Sequence, residues 1–120
     1  MASRFYHLCI HAHDPSALAR FWAAVLDQPI LYEDTDEVLV GADLQAYPGL
    51  CFLPVSDDKV VKNRLHIDLA PDDADAELDR LIALGATLVD IGQGDVTWTV
   101  LADPEGNEFC LLQPKSSLTG

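Results

Sequence analysis

The sequence predicts an α+β protein built from two βαβββ modules, and three observations carry that reading. Two stretches place apolar residues at helical spacing, each behind an aspartate suited to cap a helix. Short apolar segments of alternating polarity follow each of them, separated by turn residues. The pattern also returns at a fixed offset: His66 follows His7, Asp73 follows Asp14 and Cys110 follows Cys51, each by 59 residues. Leu8 and Ile67, Ile10 and Leu69, and Phe52 and Leu111 match at the same shift, so the repeat is one of pattern more than identity.

The elements follow in order. Residues 4–11 alternate as a strand, with Leu8 and Ile10 on one side and His7, Cys9 and His11 on the other. Asp14-Pro15 starts a helix, aspartate as N-cap and proline in the first turn. Leu18, Phe21, Trp22, Val25 and Leu26 form its apolar stripe, and it stops before Pro29. Residues 30–34 and 37–42 read as strands joined by the acidic turn 34–36, and Tyr47-Pro48-Gly49 turns the chain into a fourth strand, Leu50 to Pro54. The polar stretch 55–62 is a connector, so module one spans about 4–54 and module two about 63–114 of a single 120-residue domain.

Module two repeats the design. In residues 63–70, Leu65, Ile67 and Leu69 fall on one face and Arg64, His66 and Asp68 on the other. Pro71-Asp72-Asp73 opens a second helix with Ala74, Leu78, Leu81 and Ile82 as its stripe and Gly85 as terminator. Residues 86–91, 97–101 and 107–112 supply three more strands. Asp103-Pro104-Glu105-Gly106-Asn107 is turn chemistry between the last two, because Pro fixes one dihedral and Gly and Asn tolerate positive φ. In the final strand Phe109 and Leu111 face a helix layer, while Glu108, Cys110 and Leu112 face the opposite way.

Composition bounds the function. At 120 residues and 49% hydrophobic the chain has material for a core. A formal charge of −13 argues against nucleic acid, which needs a concentrated basic face, and against anionic membrane surfaces. No run approaches a membrane span. The opening MASRFYH has no long apolar stretch, and an odd set of three cysteines, Cys9, Cys51 and Cys110, suits a reducing, cytoplasmic setting without structural disulfides. No glycine-rich phosphate cradle follows a strand; Gly92-Gln93-Gly94 is a loop.

Alternation gathers the polar side chains that chemistry would use. Cys9 and His11 share the face of His7, and Arg64 and Asp68 share that of His66. His66 and Asp68 stand about 6.8 Å apart along a strand, a spacing at which a carboxylate can orient an imidazole as a general base. The same aspartate can equally serve a structural hydrogen bond or pair with Arg64. Trp98, between Thr97 and Thr99, either stacks on a flat ligand or packs inward. Phe21 and Trp22 belong to the core.

These stretches carry a resemblance: the first strand into Asp14-Pro15 and Phe21-Trp22, then Asn63-Arg64-Leu65-His66-Ile67-Asp68, then Asp103 to Cys110. Over about residues 4–114 the chain resembles the vicinal oxygen chelate superfamily of glyoxalase I, bleomycin-resistance proteins and extradiol dioxygenases, and most of all bacterial glyoxalase-like domain proteins. The resemblance implies two modules paired into a curled, cup-like mixed sheet with helices on the outer faces, a pocket between the modules, and a homodimer. The family's four metal positions fall on His7, Cys51, His66 and Cys110. The histidines match; the cysteines stand where active metalloenzymes of the family generally carry glutamate. Two thiolates and two imidazoles suit a closed tetrahedral zinc rather than an open site that chelates a substrate's oxygens. Three alternatives stand: cysteines lining a metal-free pocket, a zinc-type quartet, or a register that separates the four. The expected function is binding of a compact organic molecule, oriented by His7, Cys9, His11, Cys51, Arg64, His66, Asp68, Trp98 and Cys110, with no cofactor required. The alternative is a divalent-metal lyase, isomerase or dioxygenase using the His/Cys quartet, with His66 and Asp68 as its catalytic candidates.

Overall fold

The computed structural model describes residues 2–90 and 97–114. Its elements run β1 (His7–Ala12), α1 (Pro15–Leu26), β2 (Ile30–Glu33), β3 (Val38–Val40), β4 (Gly49–Pro54), β5 (Asp68–Leu69), α2 (Ala74–Leu84), β6 (Thr87–Leu88), β7 (Thr99–Ala102) and β8 (Glu108–Leu111). The order is βαβββ twice, and the chain divides into two compact units, Met1–Asp58 and Lys59–Gly120. Each unit holds one open four-stranded mixed sheet, ordered β1-β4-β3-β2 in the first and β5-β8-β7-β6 in the second. The loop containing Gly92-Gln93-Gly94 and the end of the strand expected at 86–91 lie outside the described residues.

The repeat holds in backbone register. Cys9 pairs with Cys51 and Ile10 with Phe52 in the parallel β1–β4 ladder; 59 residues on, Asp68 pairs with Cys110 and Leu69 with Leu111 in β5–β8. Capping repeats as well. Asp14 accepts a hydrogen bond from the Ala17 N–H at 3.1 Å, and Asp73 one from the Ala76 N–H at 3.2 Å. The exits differ: α1 ends on Asp27 at φ 52°, α2 on Gly85 at φ 122°, where a side chain would be strained.

In the first unit, α1 packs on β3 and β4. Leu18, Trp22, Val38, Val40 and Phe52 are all buried there, and Phe21 meets Trp22 edge to face at 5.3 Å. Removing such side chains from water stabilises the unit by about 1.5–3 kcal/mol each. Arg20 on α1 forks onto both Glu33 carboxylate oxygens at 2.9 Å, tying the helix to β2. The Arg20 guanidinium and the Ser16 hydroxyl hold the Glu33 carboxyl down at about 2. The acidic turn 34–36 closes on itself, Asp34 Oδ1 accepting from the N–H groups of Asp36 at 2.7 Å and Glu37 at 2.9 Å.

In the second unit, the turn after β7 is held by one buried carboxylate. Asp103 is 4% exposed and its Oδ1 accepts from the Glu105 N–H at 2.9 Å and the Asn107 N–H at 3.0 Å, while Asn107 Nδ2 donates to Oδ2 at 3.1 Å. Gly106 sits at φ 89°. Asp103→Ala strands these donors and is expected to destabilise the protein by about 2–3 kcal/mol, read as a lower urea midpoint with an unchanged slope.

Two expectations fail for physical reasons. The strand expected over 63–70 shrinks to Asp68–Leu69; residues 63–65 cannot extend it, because parallel pairing carried back from Asp68–Cys110 would set Leu65 opposite Asn107, which the turn already uses. Asn63 is drawn aside, its backbone N–H donating to the Glu108 carboxylate at 3.3 Å and its Nδ2 to Asn107 Oδ1 at 3.3 Å. Leu65 is consequently exposed rather than packed beside Ile67 and Leu69, and Arg64 is exposed as well. On α2 the buried stripe narrows to Leu81, with Ala74 and Leu78 half-buried and Ile82 exposed.

Candidate functional site

The side of β8 that carries Glu108 and Cys110, continued by Leu112 just past its end, forms the wall of a cavity of about 280 Å³ in the second unit. Val100 on β7 and Trp98 just before it add apolar surface, and Lys62, Asn63, His66 and Asp68 complete the lining. Alternation on β8 is the cause: Phe109 and Leu111 turn to the buried side, and their neighbours face the cavity. Trp98 keeps 40% of its surface exposed, so its ring is available to a ligand.

Three donor atoms of different chemistry converge on that wall. The ligand atoms of His66, Asp68 and Cys110 all lie within 4.8 Å of one another. His66 Nε2 stands 3.0 Å from Asp68 Oδ1, so the carboxylate fixes the ring's orientation. Cys110 is buried while His66 and Asp68 are exposed. Burial pushes the Cys110 thiol up, the Asp68 charge pushes it further, and Lys62 opposes them in part. A nitrogen, an oxygen and a sulfur within this radius fit a borderline divalent ion such as zinc, whose binding would displace the thiol proton.

The same wall carries a second carboxylate. Glu108 receives Lys59 Nζ at 2.8 Å, and both side chains are largely covered. Burial pushes the Glu108 carboxyl up, but the hydrogen bonds from Lys59 and from the backbone N–H groups of Glu108 and Asn63 outweigh it, and the group stays below its usual range. Glu108 is therefore a fixed negative charge at the cavity, neutralised from one side by Lys59.

The first unit arranges its polar face differently. His7 is in register with Gly49, not with Cys51; a Cβ on Gly49 would sit 3.4 Å from His7 Cδ2. The His7 ring stacks on Tyr6 with centroids 3.7 Å apart. Cys51 is buried opposite the exposed Cys9 and donates to Glu37 Oε2 at 3.8 Å. Burial, the neighbouring Cys9 and the Glu37 charge together push the Cys51 thiol up to about 12, so it stays protonated at neutral pH. His11 is exposed on β1.

Of the residues singled out from sequence, the structure gathers His66, Asp68, Trp98 and Cys110 around the cavity, and it sets Cys9 beside Cys51 in the other unit. Arg64 is exposed and not part of the cavity wall. Sequence reasoning missed Glu37, Lys59 and the register partners of the two cysteines. The partners had a signal: the 59-residue shift that relates Cys51 to Cys110 also relates Cys9 to Asp68.

Comparison with known proteins agrees with this architecture. A family profile described as "Glyoxalase-like domain" matches residues 7–112. A glyoxalase/bleomycin resistance protein/dioxygenase family enzyme from Burkholderia phytofirmans superposes with a TM-score of 0.71 at 19% identity, covering 92% of this chain and 98% of that one. The fosfomycin resistance protein of Mesorhizobium loti gives 0.70 at 16% identity over 100% of both chains. Glyoxalase I of Leishmania major gives 0.69 at 16% identity, covering 98% of this chain and 91% of that one. No curated protein matches the sequence significantly. At these identities the likeness to solved structures establishes the fold.

Proposed function

This chain belongs to the glyoxalase-like domain family, and from that premise we propose that it binds a compact organic molecule in the cavity of its second unit. The observation that carries the reading is the composition of that cavity wall, in which Trp98, Val100 and Leu112 give apolar surface and His66, Asp68 and Cys110 give convergent polar groups. That combination is what small-molecule sites use, apolar area for affinity and a few placed polar groups for orientation. At about 280 Å³ the space suits a single-ring ligand. A planar ligand would stack on Trp98 and offer hydroxyl groups to Asp68 and the unengaged face of His66. Glu108 is paired with Lys59, Asp68 sits beside His66, and Lys62 also lines the wall, so its charges are largely matched and a neutral, hydrogen-bond-donating ligand fits it.

Catechol, a flat ring with two adjacent hydroxyl groups, tests this directly by calorimetric titration of the metal-free protein. Saturable one-to-one binding is expected. Trp98→Ala should weaken it roughly 2- to 10-fold, the equivalent of losing one aromatic contact of about 0.5–1.5 kcal/mol. Equal affinity of wild type and variant would contradict the placement.

The second reading is divalent-metal chemistry at the same wall, favoured by the triad of donor atoms within 4.8 Å. His66, Asp68 and Cys110 would hold the ion, which when bound would supply Lewis acidity toward a ligand's oxygens. This differs from the four-position set expected at His7, Cys51, His66 and Cys110, because Asp68 brings a carboxylate into the second unit's own set. Asp68 would then divide its role between holding the ion and orienting the His66 ring.

A further inference from the structure

The 59-residue repeat makes the two units differ at one informative position: where the second unit sets the Asp68 carboxylate opposite Cys110, the first sets the Cys9 thiol opposite Cys51. We propose that Cys9 and Cys51 form a reversible disulfide when the protein meets a hydroperoxide, making the β1–β4 ladder a redox modification site. Geometry carries the inference. The two residues are direct register partners on adjacent parallel strands, so their side chains leave the sheet on the same face. Neighbouring strands run about 4.8 Å apart, inside the Cα separation of about 4.4–6.8 Å that disulfides span. Both cysteines are free, Cys9 exposed and Cys51 buried.

That difference in exposure fixes the order of events. The Cys9 sulfur, as thiolate, attacks one oxygen of the hydroperoxide. The O–O bond breaks, the alcohol leaves with a proton, and Cys9 becomes a sulfenic acid. The Cys51 sulfur then displaces the hydroxyl group from Cys9, and that hydroxyl leaves as water with the Cys51 proton. Two thiols have lost two electrons in total, and one hydroperoxide has been reduced to alcohol and water. A dithiol reductant reverses the bond by exchange. The consequence is local: closure covalently joins the edge strand β1 to β4 on the face that also carries His7 and His11. Cys110, opposite a carboxylate in the other unit, has no thiol as register partner.

The test uses full-length protein treated with a small excess of hydrogen peroxide, then denatured and titrated for thiols. The count should fall from three to one, the intact mass should drop by two hydrogens, and a peptide map should join the Cys9 and Cys51 peptides. Dithiothreitol should restore all three thiols. Cys9→Ser should abolish the bond and leave Cys51 reduced, whereas Cys110→Ala should still form it. A Cys9 sulfinic acid beside an intact Cys51 thiol, or a bond between the Cys9 residues of two chains, would overturn the proposal. So would three thiols persisting through the treatment.

Discussion

Trp22→Ala is expected to destabilise the protein by about 3–5 kcal/mol, the largest loss that any single truncation in the first unit should produce. Trp22 is 1% exposed, rests edge to face on Phe21, and sits on the helix that packs on β3 and β4. Alanine would remove most of its apolar area and leave a void in a core that, with Leu18, Val38 and Phe52 also buried, is packed too closely to collapse around it. Domains of this size hold only about 5–15 kcal/mol in all, so the variant should show a much lower urea midpoint by far-UV circular dichroism. A loss below about 1 kcal/mol would mean that the helix does not dock through this side chain. Trp98→Ala is the internal comparison. Its ring is 40% exposed, and its replacement should change stability far less while weakening ligand binding.

Cys110→Ala is expected to weaken zinc binding by about 100-fold or more, since removing even an outer partner of a metal ligand typically costs 10–100-fold. His66→Ala should do the same, and Asp68→Asn should lose less than either. The pH dependence follows from the thiol. Burial and the Asp68 charge raise the Cys110 pKa, so at neutral pH the proton is on and the ion must displace it. Zinc affinity should therefore rise with pH, by about tenfold per unit on account of this one proton, until pH passes the raised thiol pKa. In Cys110→Ala that component of the slope should disappear. A wild-type affinity independent of pH, or unchanged by Cys110→Ala, would exclude Cys110 as a ligand and return the wall to the metal-free reading. Tight zinc binding that survives loss of His66 as well would locate the ion elsewhere in the chain.

Much of the fold was legible because its signals are local. Asp14 and Asp73 stand where a helix must be capped, and the Asp103–Asn107 turn draws on residues only two to four apart. The shift of 59 then carried the first module's order onto the second. What was not legible depends on partners distant in sequence. Residues 63–65 alternate like a strand, yet the positions they would face, 105–107, belong to the turn before β8, so Leu65 and Arg64 fall outside the sheet. Ile82 carries helical spacing, but the buried face of α2 is narrower than that spacing suggests. The site was half legible for the same reason. His66, Asp68 and Cys110 were each marked by alternation, but alternation alone does not say that Asp68, rather than His66, lies directly opposite Cys110. Glu37 and Lys59, which set the environment of Cys51 and Glu108, were not legible: Glu37 reads as the first residue of a strand that in fact starts at Val38, and Lys59 lies in the connector that periodicity does not read.

A ligand should sit on the wall of the second unit's cavity, and a crystal of the metal-free protein soaked with catechol tests that most directly. Density for the ring against Trp98, with its oxygens toward Asp68 and His66, is the predicted result. A ring bound away from Trp98 and the β8 wall, or an unaltered cavity at saturating catechol, would contradict it.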